Sequence, residues 1–286
     1  MRFGTWGPRT VPHPLSVASA LTLTFRYNDL DSVDAVFRRH PSQVAALVLE
    51  PAAMQEPAPG FLQGLRERCD REGAVLVFDE TITGFRWHVG GAQKLYGVTP
   101  DLSAFGKAMA NGFSLAALTG KRALMELGGL KHDKERVFLL STTHGAETHA
   151  LAAAIETMRV YRREDVVGAL HRQGARLRAG ATEAARELGL ERHFEVLGRD
   201  CNLVYAAKDA SGVPSQAFRT LVLQETIRRG VLMPSLVVSF SHGDAEIDRT
   251  VEAIRGALEV YRKALESGVE RFLEGRPVKP VFRPRN

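Results

Sequence analysis

The chain is poor in cysteine, in long apolar runs and in clustered charge, and each shortage excludes something. Its 286 residues hold two cysteines, Cys69 and Cys201. They lie too far apart for a metal-ligand or redox pair, which fits reduced thiols in a cytoplasmic protein. No stretch approaches the roughly 20 apolar residues that span a membrane. The first residues, broken by Pro8, Pro12 and Pro14, hold no apolar core of signal-peptide length, so secretion is not expected. The formal charge is only +5. Its basic residues are scattered, as over positions 66–71 and 159–163, among acids such as Glu67, Asp70, Glu156 and Glu164, and such mixing marks solvated helix faces. A nucleic-acid footprint would gather them on one surface. His88, His144, His149 and His242 show no metal-ligand spacing, so no metal is expected. No internal repeat is present.

What the chain does have is apolar punctuation of an α/β kind. Val75-Leu-Val-Phe78 reads as a short strand buried on both faces, and it ends in two acids, Asp79 and Glu80. Val44-Ala-Ala-Leu-Val-Leu49 is a second such run and ends in Glu50 and Pro51. Between them, positions 60–72 have helical period. Phe61, Leu62, Leu65 and Cys69 share a face, and Gly73 supplies the left-handed stop. Strand, helix and strand in this order form a right-handed parallel unit. Glu50 and Asp79 therefore belong at one carboxyl edge, where α/β sheets bind ligands.

Further elements are expected over 29–40 (helix), 115–119 (strand), 121–127 (helix), 137–141 (strand) and 147–163 (helix). In the last of these Leu151, Ile155 and Met158 stand at helical spacing. Beyond it the pattern changes to helix 166–188, strands 194–196 and 203–206, helix 216–229, strand 236–240 and helix 244–265. Residues 1–28 show no period. The fold expected is α/β: a mostly parallel sheet in a larger domain, 1–160, followed by a smaller α+β domain, 161–286.

Chemistry is suggested by a lone lysine, Lys107, between Gly106 and Ala108 and shortly before Gly112. Small neighbours leave room for a bulky cofactor, and a desolvated lysine loses its proton more readily. Singly, Lys107 also reads as a surface lysine in a turn, and Asp79 as an acid capping one. Together they suggest a Schiff-base lysine for pyridoxal phosphate and an acid that keeps the pyridine nitrogen protonated.

The runs Leu76-Val-Phe-Asp-Glu-Thr-Ile-Thr-Gly-Phe-Arg86, Gly90-Gly-Ala-Gln93, Tyr96-Gly-Val-Thr-Pro-Asp-Leu102 and Gly106-Lys107 resemble the class III pyridoxal-phosphate aminotransferases. Within them the likeness is to the glutamate-1-semialdehyde aminomutase branch. The resemblance implies a fold type I sheet, a Lys107 Schiff base and an Asp79 partner for the pyridine nitrogen. It also implies that Thr142 reaches the cofactor phosphate of a neighbouring subunit, and hence a homodimer. Glu50 matches a glutamate beside the substrate pocket, and His144 is a second candidate there. Thr81 occupies the cofactor-contacting place where the family has a branched apolar residue, and Ala108-Met-Ala-Asn111 replaces a glycine run. Both imply an altered pocket.

The implied activity moves an amino group from an amino donor to a keto or aldehyde acceptor, or within one molecule as the aminomutase does. Family members also carry well over a hundred residues before the region matching Leu21, including a Ser/Gly-rich phosphate-binding turn. None precedes Asp79 here, so a non-catalytic remnant, or one subunit of a two-chain protein, is the alternative expectation.

Overall fold

The computed structural model describes residues 2–5, 21–129, 131–133, 135 and 145–279. The chain divides into two compact units, Met1–Glu164 and Asp165–Asn286.

The first unit is built on a six-stranded sheet in the order β2-β1-β3-β4-β5-β6. The strands are β1 (Arg2–Thr5), β2 (Thr22–Thr24), β3 (Val44–Leu49), β4 (Val75–Asp79), β5 (Leu102–Phe105) and β6 (Ala117–Gly120). The first five are parallel, and β6 runs antiparallel to β5. Both β1 and β2 lie where the sequence shows no period. At four and three residues they are too short to show one.

Helix α1 (Leu30–Arg39) starts at Asp29, whose carboxylate accepts the Ser32 N–H at 2.9 Å. Helix α2 (Phe61–Glu72) stops at Gly73, which takes φ +68 and donates its N–H to Cys69 O. Both helices lie on one side of the sheet, because that is where the apolar stripes meet. Val33, Phe37, Phe61, Leu62 and Leu65 pack with Leu47, Leu49, Leu76 and Phe78. Leu65 is fully buried, and its truncation to alanine is worth about 2–5 kcal/mol. The expectation that β4 is buried on both faces fails: Leu76 and Phe78 are buried, whereas Val75, Val77 and Asp79 are half-exposed. The covering helices occupy one face, and the other is open enough for chemistry.

Asp101 fastens this layer. Its carboxylate accepts the Leu76 N–H at 2.6 Å, Arg66 Nη1 at 2.8 Å and Lys121 Nζ at 2.6 Å. One side chain thereby joins β4, α2 and the chain just after β6. Helices α3 (Gly91–Tyr96) and α4 (Arg122–Met125) are short. Helix α5 (Thr148–Arg163) buries Ala150 and Ala154 and lies against the turn Lys107–Met109. Leu151, Ile155 and Met158 are exposed, since the small alanine side is the one that allows close approach. The strand expected over 137–141 lies outside the described residues.

The second unit has α6 (Val166–Glu187), the hairpin β7 (Phe194–Arg199) and β8 (Asn202–Ala207), α7 (Gln216–Arg228) and α8 (Asp244–Ser267). Tyr261 of α8 donates to Lys208 O at 2.5 Å, pinning the helix to the end of the hairpin. The strand expected over 236–240 does not form. Leu236 makes one isolated bridge to Leu203, and the Ser239 N–H turns instead to His242 Nδ1 at 3.2 Å.

Candidate active site

Three strand ends in the first unit bring the chemical side chains together. β3 and β4 are in parallel register with Leu49 opposite Phe78, so Glu50 and Asp79 follow as neighbours one residue further on. Leu49 and Phe78 face the helix-covered core. By strand alternation Glu50 and Asp79 point to the opposite, open face. On the other side of Asp79 stands Ala104 of β5, whose small side chain leaves space above it.

The two consecutive acids divide their work. The Asp79 carboxylate accepts the Thr81 N–H at 3.0 Å, turning the chain tightly after β4. Glu80 points the other way and is fully buried. It receives the Ala92 N–H at 2.7 Å, the Gln93 N–H at 2.8 Å and the Thr83 hydroxyl, so it caps the start of α3. A Cβ on Gly91 would lie 2.6 Å from that carboxyl, and Gly91 has φ +79. Only glycine suits the place. Burial pushes the Glu80 carboxyl above its ordinary range, and the bonds from Thr83, Gln93 and Ala92 offset this only in part. Nothing within the run Asp79-Glu80 marks Glu80 as the clamp. The signal is the later Gly90-Gly-Ala-Gln93, a glycine pair opening a helix that needs an anion.

The rest of this loop is held from two sides. Gly84 lies against Phe105, with a hypothetical Cβ 2.5 Å from its ring. Tyr161 of α5 donates to Phe85 O at 2.7 Å. The loop after Glu50 is fastened likewise. Tyr27 donates to Pro51 O at 2.9 Å, and Asn28 bonds Glu56 O at 3.0 Å and the Ala58 N–H at 2.8 Å.

Lys107 opens a single 3-10 turn just past β5 with φ +44, a region costly for a side chain larger than glycine. Asn111 N–H bonds Lys107 O at 3.2 Å, and Met109 and Ala110 are buried beneath. Lys107 itself is exposed. The desolvation expected from its small neighbours is therefore absent in this chain, because the turn lifts the residue off the sheet. Gly106 is packed closely: a Cβ there would stand 3.3 Å from Thr81 Cγ2.

Electrostatics tie the three groups into one site. Glu50 is half-buried, and its carboxyl is raised above the ordinary range first by burial and then by the charge of Asp79, with Lys107 acting in the opposite direction. Glu50, Asp79, Lys107 and Thr81 thus gather at one carboxyl edge. Thr142 and His144 lie outside the described residues. Among the described residues no group of acids, histidines and cysteines could hold a metal, and no helix is long and apolar enough to cross a membrane.

Comparison with known proteins agrees with this geometry. Residues 5–254 match the family described as aminotransferase class-III. A glutamate-1-semialdehyde 2,1-aminomutase of Pelotomaculum thermopropionicum is 36% identical over 269 residues, covering 89% of this chain and 61% of that protein. A 3-aminobutyryl-CoA aminotransferase of Cloacimonas acidaminovorans is 35% identical over 250 residues, covering 84% and 58% respectively. The FumI protein of Sphingopyxis sp. MTA144, solved with pyridoxal phosphate as its internal aldimine, superposes with a TM-score of 0.82 at 24% identity, over 93% of this chain and 66% of that one. That last likeness concerns the fold, which is of the pyridoxal-phosphate transaminase type. The chain spans about three fifths of the length of these curated relatives. With its family match running over most of its length, and with the acid and lysine of the motifs at one strand edge, the chain belongs to the class III aminotransferases.

Proposed function

We propose that this chain carries the reactive lysine and the ring-binding acid of a pyridoxal-phosphate enzyme. That enzyme moves an amino group from a small amino donor to a keto or aldehyde acceptor, or within one molecule. The observation that carries the reading is positional: Asp79 ends β4, and Lys107 follows β5, the strand paired to β4 with Ala104 opposite Asp79. An acid and an amine from separate strand ends thus converge on one open face, over the small Ala104. These residues fit pyridoxal phosphate. Asp79 would pair with its ring nitrogen, Lys107 would hold its aldehyde carbon, and Thr81 would lie beside the ring. When bound, the cofactor supplies an aldehyde for amines and a ring that withdraws electrons from an adjacent carbanion.

The protein's own part is positional. Asp79 would hold a proton at the ring nitrogen, and its carboxylate is oriented by the Thr81 N–H. Lys107 Nζ would serve as the base that moves a proton to and from the substrate carbon. Whether the amino group passes to a second molecule or to another carbon of the same one separates transfer from mutase chemistry, and the two relatives named above are named one for each.

The remaining assignments rest on the family. Thr142 is a contact to cofactor phosphate across a homodimer boundary, and His144 and Glu50 line the substrate pocket. The two units serve as the larger and smaller domains, and the setting is cytoplasmic. The exposed Leu151, Ile155 and Met158 of α5 supply apolar surface that a second copy would cover, and sedimentation showing a monomer at high concentration would count against it.

The test is borohydride reduction in pyridoxal phosphate far above the micromolar range, which traps even weakly held cofactor, followed by peptide mapping. The reduced adduct is expected on Lys107 and lost in Lys107→Ala. An adduct on Lys94 or Lys121 instead would overturn the reading.

A further inference from the structure

Glu50 and Asp79 end adjacent parallel strands in matched register and stand on the same open face. Neighbouring strands lie about 4.8 Å apart, so the two carboxyls are nearest neighbours. Like charges placed side by side on one sheet face oppose each other, and half-burial weakens the screening by water. Among the described residues, the charged groups that act on Glu50 are Asp79, at the end of β4, and Lys107, past the end of β5. One cation balances one anion, so two carboxylates here leave an uncompensated negative charge.

Hydrogen bonding distinguishes the two acids. The Asp79 carboxylate has a fixed donor, the Thr81 N–H at 3.0 Å. Among the described residues no N–H or O–H reaches the Glu50 carboxyl. Burial, which disfavours charge, is moreover the largest influence on it.

We propose that Glu50 is a positioning residue that carries the single proton of the Glu50–Asp79 pair, leaving Asp79 the sole anion of the strand edge. Its neutral carboxyl then presents an O–H donor to whatever occupies the open face, which suits an acceptor oxygen of the substrate or cofactor. The pair is also coupled to the lysine. Any event that removes the charge of Lys107 removes the one field that favours a Glu50 anion, so the proton is held more firmly.

The use of this proton rests on the function proposed above, but the proton itself is a property of the chain without cofactor, and the experiment is done there. The carboxyl signals of carbon-13-labelled glutamate and aspartate are followed against pH in the wild type and in Glu50→Gln, Asp79→Asn and Lys107→Ala. Two glutamates, Glu50 and Glu80, are expected to titrate above the ordinary range, and the signal that vanishes in Glu50→Gln is assigned to Glu50. It should move down by about one pH unit in Asp79→Asn, the size that marks coupled sites, and up in Lys107→Ala. Glu50 titrating in the ordinary range, or unmoved in Asp79→Asn, overturns the proposal.

A second measurement uses the yield of borohydride adduct on Lys107 against pH. A step at the Glu50 titration, abolished in Glu50→Gln and not merely lowered throughout, is expected. A uniform loss across pH would make Glu50 structural and would also overturn the proposal. If the titration is as expected but no adduct forms at all, the functional reading fails and the shared proton stands.

Discussion

Thr81 stands against Gly106: its Cγ2 lies 3.3 Å from the point where a Cβ on that glycine would be. The same residue donates its backbone N–H to Asp79 Oδ1 at 3.0 Å. One side chain and one amide therefore set the spacing between the end of β4, with its acid, and the end of β5, with its lysine. The packing can be probed directly. Gly106 is extended at φ −170, so alanine is allowed by the backbone and the cost is one of crowding. Gly106→Ala is expected to destabilise by about 1 kcal/mol, at the low end for overpacking. In a Thr81→Ser background, which removes Cγ2, the cost should shrink by about 0.5–1 kcal/mol. Urea unfolding of the four members of this cycle measures it, and additive effects would show that the two residues do not press on each other.

Lys107 holds φ +44, a conformation that costs a residue with a Cβ roughly 1 kcal/mol. Lys107→Gly should therefore be more stable than Lys107→Ala by about 1 kcal/mol, less the greater freedom glycine brings to the unfolded chain. Both variants lose the amine, so stability and cofactor attachment separate cleanly. An alanine variant as stable as the glycine one, read by thermal unfolding, would mean that the turn is not strained.

Two buried acids give opposite dependences on pH. Burial opposes ionisation of Asp101, but the bonds from Lys121, the Leu76 N–H and Arg66 outweigh it and hold the carboxyl below its ordinary 3.8. Its stabilisation is complete above that value and is lost as pH falls through the folded-state value. Asp101→Asn is expected to cost about 2–4 kcal/mol at neutral pH, by removing an anion from two cations and an amide, and far less in strong acid.

Glu80 behaves in the reverse sense. Its folded-state value is raised above 4.5, so its contribution is complete below 4.5 and declines as pH rises through the raised value. Glu80→Gln should flatten that decline. Glu80→Ala leaves the Ala92 and Gln93 amides without their acceptor and should cost about 2–5 kcal/mol in acid, and less as pH rises. Urea midpoints across a pH series distinguish the two acids. A Glu80→Gln variant that keeps the wild-type slope would contradict the assignment.

The sequence pattern was most telling where a local rule and the packing agreed. Apolar runs ending in acids located β3 and β4, and the stripe Phe61, Leu62, Leu65 and Cys69 located α2, because these residues form the buried core itself. The parallel unit then put Glu50 and Asp79 at one carboxyl edge without any structure, and the register of β3 and β4 makes them neighbours. What stayed hidden depends on partners distant in sequence. β1 and β2 exist by pairing with each other and with β3, and so few residues cannot show a period. The reversal of β6 is a matter of topology, not of composition. Glu80 looks like Asp79 until the fold brings Gly91 within contact of its carboxyl. The apolar face of α5 reads as core by spacing, yet it is the alanine face that packs inward.

The phosphate of the cofactor leads to the last prediction. A bound phosphate dianion needs several N–H donors, commonly at a helix N-terminus, and each charge-assisted bond contributes roughly 1.5–3 kcal/mol. The helix that starts beside this strand edge, α3, cannot supply them, because Glu80 already takes the Ala92 and Gln93 amides at 2.7 and 2.8 Å. Among the described residues before Asp79, no Ser/Gly-rich turn opens a helix. Lacking two or three such bonds weakens binding by roughly 3–9 kcal/mol, about two to six powers of ten at 1.4 kcal/mol per decade. Lys107 and Asp79 do not recover that alone. The 286-residue chain purified by itself is therefore expected to be colourless with micromolar pyridoxal phosphate and inactive in amino transfer. Supplying a segment with a phosphate-binding turn, in cis or in trans, should restore the visible absorption band. Stoichiometric titration of the chain alone at micromolar cofactor, followed by absorbance, would show that its own residues already build the phosphate site.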